Sequence, residues 1–328
     1  MGAGPYPGVT GVKPRYAVPM VNGLLLISGL LLGAAACGSS VAETTAATSS
    51  GSTSGGSSAT GGQGGALAET TPPAQYLPKA SGACPDFAQG KASFKPDGKA
   101  RDVLLWVNPD KAKALHGPLV FVWHGAGGDP SEAPAILGDA LTAITDAGGV
   151  VAAPTHDPVN QVLPWSLCLG GTDESDLRVA DEILACAIAK VGVDLRRLHS
   201  VGFSAGAMNT EQFASRRSGY IASIVAYSGA RLGNVTEQDP NNRYPAMLFY
   251  GGANDMVIIN FATATKTYHD ALAMNGQFSF TCNHNMGHTV PADGRASAWQ
   301  FLQDHPFGAR PEPYAKGLPA GFPTYCTP

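Results

Sequence analysis

From residue 73 to the end of the chain, short runs of β-branched and aromatic residues alternate with longer stretches whose apolar positions recur every three or four residues. The first pattern suits strands and the second suits amphipathic helices. Strands are expected over 102–107, 119–123, 150–153, 198–203, 221–228, 246–250 and 278–282, each bounded by Gly, Pro, Asn or Asp. Several are apolar at every position, as in Leu119-Val120-Phe121-Val122-Trp123, which is what a strand covered on both faces requires. Helices are expected over 134–146, 174–191, 205–216, 261–274 and 296–303. In the second of these, Leu177, Ile183, Leu184, Ala187, Ile188 and Val191 share one face, while Asp173, Glu174 and Asp176 stand near the start, where the helix dipole favours negative charge. This alternation specifies an α/β fold: a mostly parallel central sheet flanked by helices, in a single domain over residues 73–328.

The first 72 residues lack this pattern. Lys13 and Arg15 precede an apolar run over 21–36 that contains Leu24-Leu25-Leu26-Ile27 and Leu30-Leu31-Leu32 and leads through Ala34-Ala35-Ala36 into Cys37. That order is an export signal. Its end resembles a bacterial lipobox, in which the cysteine is lipidated and becomes the new N-terminus. Residues 1–36 are therefore expected to be a lipoprotein signal peptide and Cys37 the lipidation site, giving a protein of the bacterial cell envelope, or a secreted one if cleavage is of the ordinary kind. The run is short for a membrane span, and Asn22, Ser28 and glycines interrupt it. Residues 37–72 are mostly Ser, Gly, Ala and Thr, too poor in large apolar side chains to offset their ordering entropy, and read as a disordered tether.

Net charge is −4 and 14% of residues are charged, so no basic field exists to hold phosphate backbones, and nucleic acid is excluded as a partner. There are six cysteines, and with Cys37 lipidated the remaining five leave at least one unpaired in an oxidising compartment. Cys186, mid-helix between Ala185 and Ala187, reads as that unpaired core residue. Cys84, Cys168, Cys282 and Cys326 remain for disulfides, with their pairing open.

Chemistry concentrates in Leu198-His199-Ser200-Val201-Gly202-Phe203-Ser204-Ala205-Gly206-Ala207, a GxSxG pattern with a strand before it and a helix after it. A bare match means little in a chain with 41 glycines; the strand and helix give it meaning. The turn between them pushes the hydroxyl of Ser204 out at the helix N-terminus, where developing negative charge is favoured. This arrangement resembles the nucleophile elbow of the α/β-hydrolase fold. A serine needs a base to take its proton and a carboxylate to hold that base, and this fold orders them Ser, acid, His.

Asp255 lies in Tyr250-Gly251-Gly252-Ala253-Asn254-Asp255, just after a strand, and fits as the acid. His288, after the last strand in Asn283-His284-Asn285-Met286-Gly287-His288, fits as the base. Asp181 and Asp270 fall within helices, Asp239 and Asp293 lack a preceding strand, His284 sits closer to its strand, and His305 reads as a surface residue.

The oxyanion needs N–H donors, expected from Ala205 and from Ala126 or Gly127 in the Gly-rich turn His124-Gly125-Ala126-Gly127-Gly128, with His124 bracing that turn. Trp165 is a candidate to line the substrate pocket, with burial in the core as the alternative. Cys282, His284 and His288 lack the catalytic Glu and second ligand cluster that a zinc site would carry, so no metal is expected.

Taken together, His124-Gly125, Gly192-Val193-Asp194 with Arg196-Arg197, Gly202-Phe203-Ser204-Ala205-Gly206, and Gly287-His288 with Pro291 resemble the extracellular polyhydroxybutyrate depolymerase and feruloyl or acetylxylan esterase family over roughly 102–307. The resemblance implies ester hydrolysis through an acyl-enzyme on Ser204, Asp255 and His288, with no cofactor, on a small or polymeric ester. The chain departs from the family's habits by having Ala126 where Cys is frequent, Gly251-Gly252 where His-Gly often precedes the acid, and Val290 where an aromatic often stands. A serine peptidase on the same fold and a non-catalytic surface binding module are the competing expectations; no acidic signature for an amine terminus supports the first, and the complete catalytic set argues against the second.

Overall fold

A computed structural model describes residues 68–157, 163–167, 171–233 and 236–328. The expected signal peptide, Cys37, most of the tether and Cys168 lie outside the described residues. Nine strands form one sheet: β1 (Gly90–Phe94), β2 (Arg101–Val107), β3 (Leu119–Trp123), β4 (Val150–Pro154), β5 (Leu198–Phe203), β6 (Ser223–Tyr227), β7 (Ala246–Tyr250), β8 (Ser279–Asn283) and β9 (Cys326–Thr327). Their spatial order is β1-β2-β4-β3-β5-β6-β7-β8-β9. The neighbours from β4 through β8 pair in parallel, while β1, β2 and β9 run antiparallel at the two edges. The helices are α1 (Pro109–Leu115), α2 (Ala133–Leu137), α3 (Ala140–Asp146), α4 (Ser175–Lys190), α5 (Ala205–Arg216), α6 (Phe261–Met274) and α7 (Arg295–Asp304).

Period-two alternation sends the side chains of each central strand to two separate cores. From β3, Phe121 and Trp123 enter one core with Leu177 and Ile183 of α4, Phe213 of α5 and Tyr268 and Leu272 of α6. Val120 and Val122 enter the other with Ile136 of α2, Ile144 of α3 and Phe301 and Leu302 of α7. Helices thus cover both faces, and strands apolar at every position follow from that. In the parallel pairs the C-terminal ends of β3, β5, β7 and β8 lie along one edge of the sheet, so the loops after Trp123, Phe203, Tyr250 and Asn283 emerge together.

Several expectations are corrected. The helix expected over 134–146 is two, α2 and α3, broken at Gly138, whose φ of 60° and ψ of −138° suit glycine alone and whose Cα faces the side chain of Arg295. Residues 68–72, assigned to the tether, are fastened to the body: Ala68 pairs with Arg310, and Glu69 reaches Arg196 at 2.6 Å and Arg197 at 3.3 Å. Cys186 is not free, since it forms a disulfide with Cys84, and Cys282 pairs with Cys326. A small apolar residue on a buried helix face is also a good place for a crosslink, and Cys84 packs against that core. His305 is buried rather than at the surface; its Nδ1 meets the carbonyl of Phe301 at 2.7 Å and its Nε2 meets Glu312 at 2.7 Å.

Candidate active site

Ser204 stands between β5 and α5 with φ 56° and ψ −121°, a conformation that side chains rarely adopt. Its N–H donates to the carbonyl of Tyr227 at the end of β6, and its carbonyl accepts from Met208 in the first turn of α5, so both ends of the turn are held. The flanking glycines are required by contact. A β-carbon on Gly202 would stand 2.1 Å from the carbonyl oxygen of Gly206, and one on Gly206 would stand 2.0 Å from that of Trp123.

Asp255 is fully buried at the turn after β7. Its Oδ2 accepts from the Ser228 hydroxyl at 2.8 Å and from the Gly251 N–H at 2.7 Å. Its Oδ1 accepts from Nδ1–H of His288 at 2.7 Å. Burial by itself drives this carboxyl upward, but the bonds from His288, Gly251 and Ser228 outweigh it and hold the group below the usual aspartate range. An ionised Asp255 fixes the His288 tautomer with the proton on Nδ1, leaving Nε2 to accept from the Ser204 hydroxyl at 2.9 Å.

The His288 ring is clamped between Phe203, with centroids 4.9 Å apart, and Phe261, with centroids 4.8 Å apart and planes 20° from parallel. The loop that carries it is pinned by Gly287 N–H to the carbonyl of Gly251 at 2.9 Å. Such a chain of hydroxyl, imidazole and carboxylate can withdraw a proton from the serine as it attacks and return it to a leaving group. His284, the rival, is buried; its Nδ1 accepts from the Met286 N–H at 3.2 Å, which turns the loop rather than serving Ser204.

A family model described as phospholipase/carboxylesterase matches residues 177–306, which span α4 through α7. Among curated proteins none matches the chain. The crystal structure of native pOPH superposes with a TM-score of 0.60 at 19% identity, covering 75% of this chain and 96% of that one. That of native sOPH gives 0.59 at 16% identity, covering 77% and 96%. A thermostable esterase gives 0.51 at 17%, covering 66% and 62%. The fold is that of the α/β-hydrolases.

In this fold the loop after β3 runs beside Ser204. A β-carbon on Gly125 would lie 3.5 Å from Cβ of Ser204, and the turn closes through Gly128 N–H to the Gly125 carbonyl at 3.2 Å, with Gly127 at φ 73° and both Ala126 and Gly127 exposed. His124 braces it as expected: Nδ1–H donates to the Gly125 carbonyl at 2.8 Å, and Nε2 meets Nδ1 of His156 at 3.3 Å. Burial holds the His124 imidazole below the usual histidine range.

Trp165 lies in the core, the second of its two expected places. It is buried at 1% exposure, its Nε1–H donates to the carbonyl of His124 at 2.9 Å, and its ring packs edge-on against Trp123 with centroids 5.0 Å apart. The next residue is fixed by Asp176, which accepts from both the N–H and the hydroxyl of Ser166 and from Arg101. Trp165 therefore belongs to the core that supports the loop after β3.

Sequence reading missed Ser228, Phe203 and Phe261. Ser228 carried one usable signal, a serine directly after the apolar run of β6; its φ of 55° aims the hydroxyl at Asp255. Among the described residues no group of three or more His, Cys, Asp or Glu side chains is arranged to hold a metal ion.

Proposed function

We propose that the protein is an exported serine esterase that hydrolyses carboxylic esters through an acyl-enzyme. The observation that carries this reading is the continuous hydrogen-bonded chain from Ser204 through His288 to Asp255, at 2.9 Å and 2.7 Å, with the serine at a helix N-terminus. His288 takes the hydroxyl proton as Ser204 Oγ attacks the ester carbonyl carbon. Backbone N–H groups of Ala205 and of the Ala126–Gly127 turn receive the oxyanion. His288 then gives the proton to the departing alkoxide, and a water molecule, deprotonated by the same imidazole, releases the acid. Asp255 remains a carboxylate throughout and stabilises the imidazolium.

The match to a phospholipase/carboxylesterase model and the esterase among the structural neighbours support the reaction class. The motif resemblance favours polyhydroxyalkanoate, feruloyl or acetyl esters as substrates. Two disulfides suit an oxidising compartment and so support export, with a signal peptide over 1–36, a lipid on Cys37 and a tether reaching the body. The test is hydrolysis of short p-nitrophenyl esters and labelling by a fluorophosphonate probe, beside a Ser204→Ala variant. Turnover and labelling are expected in the wild type and neither in the variant; labelling that persists in Ser204→Ala rejects this nucleophile.

A further inference from the structure

Immediately after Asp255 the chain makes a short exposed loop of three large apolar residues. Met256 is 57% exposed, Val257 64% and Ile258 81%, and Met286, two residues before His288, is 54% exposed. These are four of the seven large hydrophobic side chains exposed on the described body, gathered beside one site. The loop is built to hold them out. Met256 bridges Asn260, Val257 N–H donates to Ile259, and Phe261 N–H donates to the carbonyl of the buried Asp255 at 2.9 Å. Phe261 itself is buried and stacked on His288, so the base of the loop and the imidazole share one rigid contact.

The two segments that carry these side chains hold no exposed acid or base of their own, with the exposed Lys266 and Asp293 standing just beyond them. Between Gly251 and Thr265 the only ionisable side chain is the buried Asp255, and between Ala271 and Ala292 the only ones are Cys282, which is in a disulfide, His284 and His288. Exposed apolar side chains gathered in this way gain most from contact with a hydrocarbon group.

The sheet order says which part of an ester reaches this rim. The loop after β3, which faces the oxyanion, lies on one side of β5; the loops after β7 and β8, with Asp255, Met256–Ile258, Met286 and His288, lie on the other. The leaving oxygen must approach Nε2 of His288 to be protonated, so the alcohol portion is carried toward the second side. We infer that the Met256–Ile258 loop with Met286 is the subsite for the alcohol portion, and that the enzyme selects esters of uncharged aliphatic alcohols of several carbons. This rests on the serine esterase reading.

The experiment uses the purified full chain and a set of butyrates sharing one acyl group: methyl, butyl, hexyl, choline, and 3,3-dimethylbutyl, the neutral counterpart of choline. A common acyl-enzyme confines differences in kcat/KM to acylation, when the alcohol is still present. Rates are expressed per fluorophosphonate-labelled site, which corrects for any unfolded fraction of a variant. Wild type is expected to prefer hexyl to methyl butyrate about tenfold, as partial burial of five methylenes allows, and 3,3-dimethylbutyl to choline butyrate several-fold. In Met256→Ser/Val257→Ser/Ile258→Ser the hexyl to methyl ratio should fall to within about twofold of one, with Ile258→Ser alone falling part-way.

A wild-type ratio near or below one, or a ratio unchanged in both variants, overturns the subsite. So does a variant effect seen only when chain length is varied in the acyl group of methyl esters. Loss of all hydrolysis and labelling in the wild type would remove the esterase reading and the subsite with it, whereas hydrolysis with a flat alcohol profile removes the subsite alone.

Discussion

At the scale of single residues, two buried carboxyls of this molecule take opposite courses. Asp255 has three donors and stays ionised; a carboxyl so depressed contributes stability present above the ordinary aspartate range and lost as pH falls through its folded value. Removing the hydroxyl in Ser228→Ala takes away one bond to a charged group, worth about 1.5–3 kcal/mol, and loosens the aim of His288. We expect kcat/KM on p-nitrophenyl butyrate to fall about tenfold or more, while fluorophosphonate still labels Ser204; an unchanged kcat/KM would show that Gly251 and His288 suffice. Glu211 on α5 is the counterpart: it is fully buried, both carboxyl oxygens lack a hydrogen-bond partner, and burial pushes it well above the glutamate range despite Arg231. Its folded state therefore favours the neutral acid. The associated stability is fully present below the unfolded value near 4.5 and is lost as pH rises toward the folded one. Glu211→Gln, neutral at every pH, should melt above wild type at about pH 8, with that advantage gone by about pH 4, as calorimetry across that range can check.

At the scale of elements, the turn between β5 and α5 tolerates no enlargement. Gly206→Ala would drive a methyl into the carbonyl of Trp123, which is backbone and cannot rotate away, so either β3 or α5 must shift. We expect loss of more than about 3 kcal/mol by denaturant unfolding, or failure to accumulate in soluble form, with fluorophosphonate labelling lost from any folded remainder. This element was legible because its constraints are local: strand, Gly-x-Ser-x-Gly and helix all lie within a few residues, as do the loops that deliver Asp255 and His288. The central strands were legible for a related reason, since burial on both faces leaves continuous apolar runs. β1 was not, because Gly90-Lys91-Ala92-Ser93-Phe94 buries only Ala92 and Phe94 at an edge, and β9 is two residues long. The break at Gly138 depends on Arg295, far along the chain, and the aromatic clamp on His288 joins residues from three segments. Cys186 and His305 were misread, and Trp165 was left open between two places, for the same cause: sequence reports that a residue is apolar or titratable, and only the packed partner decides its use.

For the molecule as a whole, the two disulfides fasten opposite edges of one sheet to different parts of the chain. Cys84–Cys186 ties the segment before β1 to the middle of α4 across 102 residues, while Cys282–Cys326 ties β9 to β8 across 44. In the chain-entropy account, crosslinks of these lengths remove unfolded-state freedom worth about 4.7 and about 4.0 kcal/mol, with real bridges delivering from about 2 to about 5. The first bridge lies on the face of α4 turned into the core, and the hydrogen-bonded chain of Ser204, His288 and Asp255 is formed without its cysteines. Its contribution is therefore to the unfolded chain and not to the geometry of the site. Cys84→Ala/Cys186→Ala should lower Tm by about 2–4 °C for each kcal/mol lost, yet leave kcat/KM at about 25 °C within about twofold of wild type. Scanning calorimetry with parallel ester hydrolysis reads both quantities. If activity fell in step with Tm while the protein remained folded, α4 and the loop it supports through Asp176 and Ser166 would have to be counted as part of the frame of the proposed site, reaching Ser204 by way of Trp165 and His124.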